Sequence, residues 1–198
     1  MRMRLLAFVA AATSLSITAN AATLLTVDLS VENQITITAT GEASSATVSG
    51  GDTTGFYLEG IFGDIFTGPG VFGSLVSGNL TSAQNGSDGT PALFASGASL
   101  GDGLNVWSYT DDPSSDFIEG ELAFVGSATW DLDPANGVYA ALLSGARFGD
   151  IYFAADTADD IANATLIGQW EVAVIPVPAA VWLFGSALVG LGALRRRA

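Results

Sequence analysis

The chain has 198 residues, 20 of them acidic and six basic, for a formal charge of −14, and it contains no histidine and no cysteine. It also has no lysine. Those absences exclude Ser-His-Asp triads, thiol nucleophiles, Schiff-base chemistry, typical zinc sites and disulfides, and the acidic balance repels phosphate backbones and so excludes nucleic acid as a partner.

Residues 1–4 form a short basic segment with Arg2 and Arg4, residues 5–12 are apolar, and Ala19-Asn20-Ala21 places small residues at an A-x-A cleavage site. Polar Thr13, Ser14, Ser16 and Thr18 interrupt the apolar run too early for a membrane helix. The pattern is a secretory signal peptide over 1–21, which implies passage through the Sec translocon.

Residues 22–174 are one domain's worth of chain, long enough to bury a core. All 20 acidic residues lie here, against the single basic residue Arg147, so the exported domain has a formal charge of −19. Divalent cations are a plausible counter-charge for such a surface; solubility through self-repulsion is the simpler explanation of the acidity. The chain is 49% hydrophobic and aromatics are spread along the domain, so it is not a disordered tether.

The periodicity is mostly two. Leu25, Val27, Leu29 and Val31 alternate with polar residues, as do Ile35, Ile37 and Ala39, and a break at Glu32-Asn33 makes the pair a hairpin. Phe56, Leu58 and Phe62 mark a further strand, and 63–103 reads as loops and short strands around glycine-rich turns. Strands are then expected over 104–109, 117–125, 128–132 with Trp130 inward, 138–143, 151–154 and a last one through Trp170, Val172 and Val174. The one helical piece is 157–164, with Thr157 and Asp160 at capping-box spacing. No helix is long enough for a βαβ unit, so the expected fold is all-β: an antiparallel β-sandwich, jelly-roll-like, followed by a C-terminal hydrophobic transmembrane helix.

What chemistry remains is that of carboxylates. Glu119 and Glu121, two apart on an expected strand, would share a face, as a glycosidase pair could; a solvated sheet face gives the same pattern. Asp131, Asp133 and Asn136, before Gly137, offer three oxygen side chains that a calcium ion could use. The distal glutamate of an EF-hand is missing, and Asp-Pro and Asn-Gly are also ordinary turn formers. Asp111, Asp112 and Asp116 are open to both readings too. Trp107, Tyr109, Trp130, Tyr139 and Tyr152 are candidates for a sugar-stacking platform or for plain core packing. No cofactor is otherwise implied, and nothing in this composition marks an enzyme.

The last 24 residues are organised differently. Pro176 and Pro178 precede an uncharged run, 179–194, whose only polar side chain is Ser186; Arg195, Arg196 and Arg197 follow. Sixteen helical residues reach roughly 24 Å, slightly short of a ~30 Å hydrocarbon core, and snorkelling arginines make up the difference. Trp182 suits the interface, and the arginines keep the C-terminus cytoplasmic with the domain outside. Pro176 and Pro178 cannot join a helix interior and leave an extended, protease-accessible junction.

This order of Pro176-Val177-Pro178-Ala179-Ala180-Val181-Trp182-Leu183-Phe184-Gly185-Ser186, apolar run and arginine cluster resembles the PEP-CTERM sorting signal in its V-P-x-P-A-A variant. Val177 stands where glutamate is common, and Ile175 replaces the leading valine. The resemblance covers 175–198 and implies recognition by an exosortase-like membrane protease, cutting near Pro176, Val177 and Pro178. It implies a protein held transiently in the inner membrane and then delivered to the cell surface, the medium or extracellular polysaccharide. A surface or matrix structural protein is one expectation for the domain; a carbohydrate- or calcium-binding adhesin-like module and a carboxylate-dependent glycan hydrolase are the others.

Overall fold

The computed structural model describes residues 21–52, 55–62, 70–71, 73–84, 91–95, 103–107, 115–153 and 158–173. Among them the protein is all-β with one short α-helix. The strands are β1 (Thr23–Asp28), β2 (Gln34–Ala39), β3 (Gly50–Asp52), β4 (Phe56–Leu58), β5 (Gly70–Val71), β6 (Gly73–Ser82), β7 (Ala92–Ala95), β8 (Leu104–Trp107), β9 (Ser115–Phe117), β10 (Phe124–Leu132), β11 (Phe148–Phe153) and β12 (Thr165–Val172). Ten of them form one sheet in the order β5-β7-β8-β4-β11-β12-β1-β2-β10-β6, and β3 pairs with β9 in a separate two-stranded sheet.

The two outermost strands of that order, β5 and β6, are successive in the chain with one residue between them. The sheet therefore curls until its first and last strands meet, and is nearly closed. Two contacts bridge the curl. Phe56 of β4 and Phe124 of β10, five places apart in strand order, have ring centroids 4.4 Å apart. The indole N–H of Trp130 donates to the Pro91 carbonyl at 2.9 Å, tying β10 to the start of β7 across the seam where the sheet closes. Closure removes most of the open edge that an acidic, disulfide-free sheet would otherwise expose.

β10 carries the sequence logic most plainly. Phe124, Ala128, Trp130 and Leu132 are buried, and Asp131 is exposed between the last two. Its neighbour β2 buries Ile35 and Ile37 and turns Gln34, Thr36 and Thr38 outward, where Thr36 and Thr38 meet Thr129 and Ser127 hydroxyl to hydroxyl at 2.8 Å. The expected hairpin is β1–β2, turned at Asn33, whose φ of 57° is the left-handed conformation asparagine tolerates.

Three expectations change. The sheet is not wholly antiparallel: β1 and β12, the first and last strands, lie side by side and parallel at its centre. Residues 138–143, expected as a strand, belong to α1 (Val138–Ser144). The Asn136 side chain accepts from the Val138 N–H, Gly137 adopts φ 72°, and the chain turns into a helix that buries Val138 and Leu142 against the open end of the sheet. Third, 117–125 is not continuous; β9 stops at Phe117 and a turn follows in which the Glu121 N–H bonds the Ile118 carbonyl. Within the expected helix 157–164, a 3-10 helix spans Ala158–Asn163.

Because β1 and β12 run parallel, the chain enters and leaves the sheet at opposite ends. At the entry end β3 and β9 form a small lid, where the buried Phe117 ring packs edge-on against Phe153 at 4.4 Å. At the exit end sit the 29–33 turn, α1, and Gly145, Ala146 and Arg147; Ala146 N–H bonds the Gly60 carbonyl and Val172 N–H the Arg147 carbonyl. No helix among the described residues is long and apolar enough to cross a membrane, and the expected span 179–194 lies outside them.

Candidate functional site

Asp131, Asp133 and Asn136 come at the exit end, each with a local partner. Gln34 Nε2 donates to Asp131 Oδ1 at 2.9 Å, joining β2 to β10. Asp133 caps a 3-10 helix (Pro134–Asn136), its Oδ1 accepting from the Ala135 N–H at 2.9 Å. Asn136 Oδ1 accepts from Val138 N–H at 3.0 Å. Asp133 and Asn136 thus serve the turn that launches α1, as Asx capping does elsewhere, while Asp131 belongs to the β2–β10 pairing. No group of three or more acidic side chains among the described residues is placed to hold a metal ion. Asp111 and Asp112 lie outside the described residues.

Glu119 and Glu121 do not share a strand face, since the turn at 118–121 includes Gly120 at φ 71°. Both are exposed, and Glu119 N–H is bonded to Ser49 Oγ at 3.0 Å.

The aromatic candidates are dispersed. Trp130 is fully buried in the core. Tyr139 is on α1, its hydroxyl donating to the Leu29 carbonyl at 2.8 Å and fastening the helix to the end of β1. Trp107 ends β8 and Tyr109 lies outside the described residues. Among the candidates whose side chains are described, Tyr152 stands on the outer face, and it has polar neighbours there.

On β11, Ile151 and Phe153 point inward, so Asp150 and Tyr152 point outward. Register sets Asp150 opposite Gln169 of β12, and Gln169 Nε2 donates to Asp150 Oδ1 at 2.9 Å. On the other side β4 pairs with β11, and the chain turns after Leu58 so that Glu59 N–H bonds the Asp150 carbonyl at 3.0 Å. The buried Trp170 indole donates to the Glu59 carbonyl at 3.0 Å and fixes that turn from below. Tyr152 lies close enough to the carboxylates of Asp150 and Glu59 for their charge and hydrogen bonding to favour the protonated phenol. Partial burial raises the phenol's pKa above its usual 10.0, and the two carboxylates, which resist a third negative charge, raise it further.

Glu59, Asp150, Tyr152 and Gln169 therefore form a half-buried group on an outer sheet face, rich in acceptors and backed by an aromatic ring. It suits a ligand that brings several hydroxyl donors and an apolar face. Of these four only Tyr152 is visible as a candidate in the sequence. The alternation of Asp150 with Ile151 and Phe153 marks it as outward-facing, but Glu59 reaches the group only because β4 pairs with a strand remote in sequence. The sorting residues Pro176, Val177, Pro178, Arg195, Arg196 and Arg197 lie outside the described residues. Compared with known protein families, with curated proteins and with solved structures, the chain matches none.

Proposed function

We propose that the protein is an exported structural component of a bacterial cell surface or extracellular matrix, associated with exopolysaccharide and without catalytic activity. It crosses the inner membrane through the Sec translocon behind residues 1–21 and is held there by the span 179–194. An exosortase-like membrane protease then cuts at Pro176, Val177 and Pro178 and releases the acidic domain outward. The observation that carries this reading is the fixed order of proline pair, apolar run and arginine cluster in 175–198. On the same reading the curled sheet is a jelly-roll-like sandwich with layers continuous along one side, a view supported by the Phe56–Phe124 contact across the interior.

A Pro176→Ala/Pro178→Ala variant expressed in the native host should accumulate as a larger, membrane-held species, while the parent chain is recovered outside the cell. Export and trimming of the variant at the parent's rate would remove the processing motif from the account.

A second reading, a carbohydrate-binding module, is favoured by the Glu59, Asp150, Tyr152 and Gln169 group, whose acceptors and ring match the hydroxyls and apolar face of a sugar. Its test is retention on host exopolysaccharide, with and without calcium. Tyr152→Ala and Asp150→Asn should each weaken retention by about tenfold, the loss of roughly 1.4 kcal/mol. Undiminished retention in both variants sinks this reading. A calcium requirement that disappears in Asp133→Asn would instead assign a cation to Asp131, Asp133 and Asn136.

A further inference from the structure

We propose that the exit end of the domain rests on the outer surface of the lipid bilayer for as long as the C-terminal tail is inserted. The inference rests on the reading of the tail given above and adds a contact made by the folded domain itself.

The first argument is length. Ala173 N–H bonds the Val27 carbonyl at 2.7 Å, so the chain is still part of the sheet three residues before Pro176. Only residues 174–178 separate it from the apolar run, and five extended residues reach at most about 18 Å. Strand β12 lies between β11 and β1, so it cannot lengthen that tether without breaking two ladders. A bilayer that holds 179–194 therefore keeps the exit end within about 18 Å of the start of the span.

The second argument is what that end exposes. Phe148 begins β11 beside Glu171 and is 69% exposed, the most open large apolar side chain described. Leu143 on α1 and Val31 in the β1–β2 turn, at the same end, are 49% and 54% exposed. Arg147, the only basic residue between Ala22 and Leu194, directly precedes Phe148 and is exposed. A cation and an exposed aromatic side chain at one end of the domain suit phosphate and the headgroup–acyl boundary together. Asp28, Glu32, Glu59, Asp131, Asp133, Asp150 and Glu171 share this end. Their charge keeps the contact shallow and favours a zwitterionic surface over a strongly anionic one.

Because the chain has no cysteine, single spin labels can be placed without background. The full chain is inserted into phosphatidylcholine vesicles as Phe148→Cys, as Val48→Cys at the entry end, and as Leu188→Cys in the tail. Label accessibility to oxygen and to a water-soluble nickel chelate is compared, with tryptophan emission confirming the fold of each. The expected result is protection from nickel several-fold greater at 148 than at 48, with 188 fully protected. Protection at 188 with 148 as open as 48 overturns the domain contact and leaves the tail reading intact. A nickel-accessible label at 188 overturns both. Protection at 148 that vanishes when vesicles hold one chain each assigns the patch to a second copy and also overturns the proposal.

Discussion

Replacing Gly126 with valine should cost about 3–5 kcal/mol of stability, enough to unfold a marginal domain. Gly126 interrupts the long β10 at φ 86°, and Gly78 in its partner β6 has φ 89°. A side chain at 126 would overlap the Asn79 carbonyl across the ladder, and one at 78 would overlap the Ser127 carbonyl. The two glycines sit on the same stretch of the β10–β6 pairing, so both strands coil at one place and carry β6 round towards β5 and β7. A non-glycine residue in that region costs roughly 1–2 kcal/mol from its own backbone, and the neighbouring carbonyl adds a clash that can be relieved only by breaking pairing. Gly41→Ala, at φ 85° with open space around it, isolates the first term and should cost only about 1 kcal/mol. Denaturant unfolding followed by tryptophan emission measures both; equal midpoint shifts would mean the close β6–β10 approach is not part of the fold.

Trp130→Ala should be comparably damaging, by about 3–5 kcal/mol, because a fully buried indole leaves a cavity that the curled sheet cannot collapse into. Trp130→Phe separates packing from hydrogen bonding. It keeps most of the volume but leaves the Pro91 carbonyl without its indole donor, a loss of about 1–3 kcal/mol. With no disulfides to limit the unfolded chain, such losses fall directly on the core. If Trp130→Phe unfolds at the parent's midpoint, the link from β10 to the start of β7 contributes nothing to closure.

The sequence made some of this fold legible, for local reasons. β1, β2 and β10 each place apolar side chains at a period of two, and burial follows that period residue by residue around Trp130. The 138–143 stretch misleads because Val138, Tyr139 and Leu142 suit a strand as well as a helix. The decision falls to Asn136 and Gly137, which cap and turn the chain into α1. β6 is obscured for a different reason: Ser77, Gly78 and Asn79 lack a strand pattern, and the strand is held by its pairing with β10. The parallel β1–β12 pair and the meeting of Glu59 with Asp150 and Tyr152 join residues far apart in the chain, which no local period encodes. The candidate side chains meet different partners by location: Asp133 and Asn136 stabilise a turn, Asp131 joins β2 to β10, and Tyr152 is drawn into a group by strand register.

The terminal segments need no fold to be read, since their signals are linear: charge, length and the order of prolines, apolar residues and arginines. The most direct measurement is the intact mass of the protein recovered from the surface and medium of its native host. The proposed route predicts a C-terminus within residues 175–180 and an N-terminus at Ala22. A mass that still includes Arg195, Arg196 and Arg197 contradicts it and makes the protein a tail-anchored resident of the inner membrane.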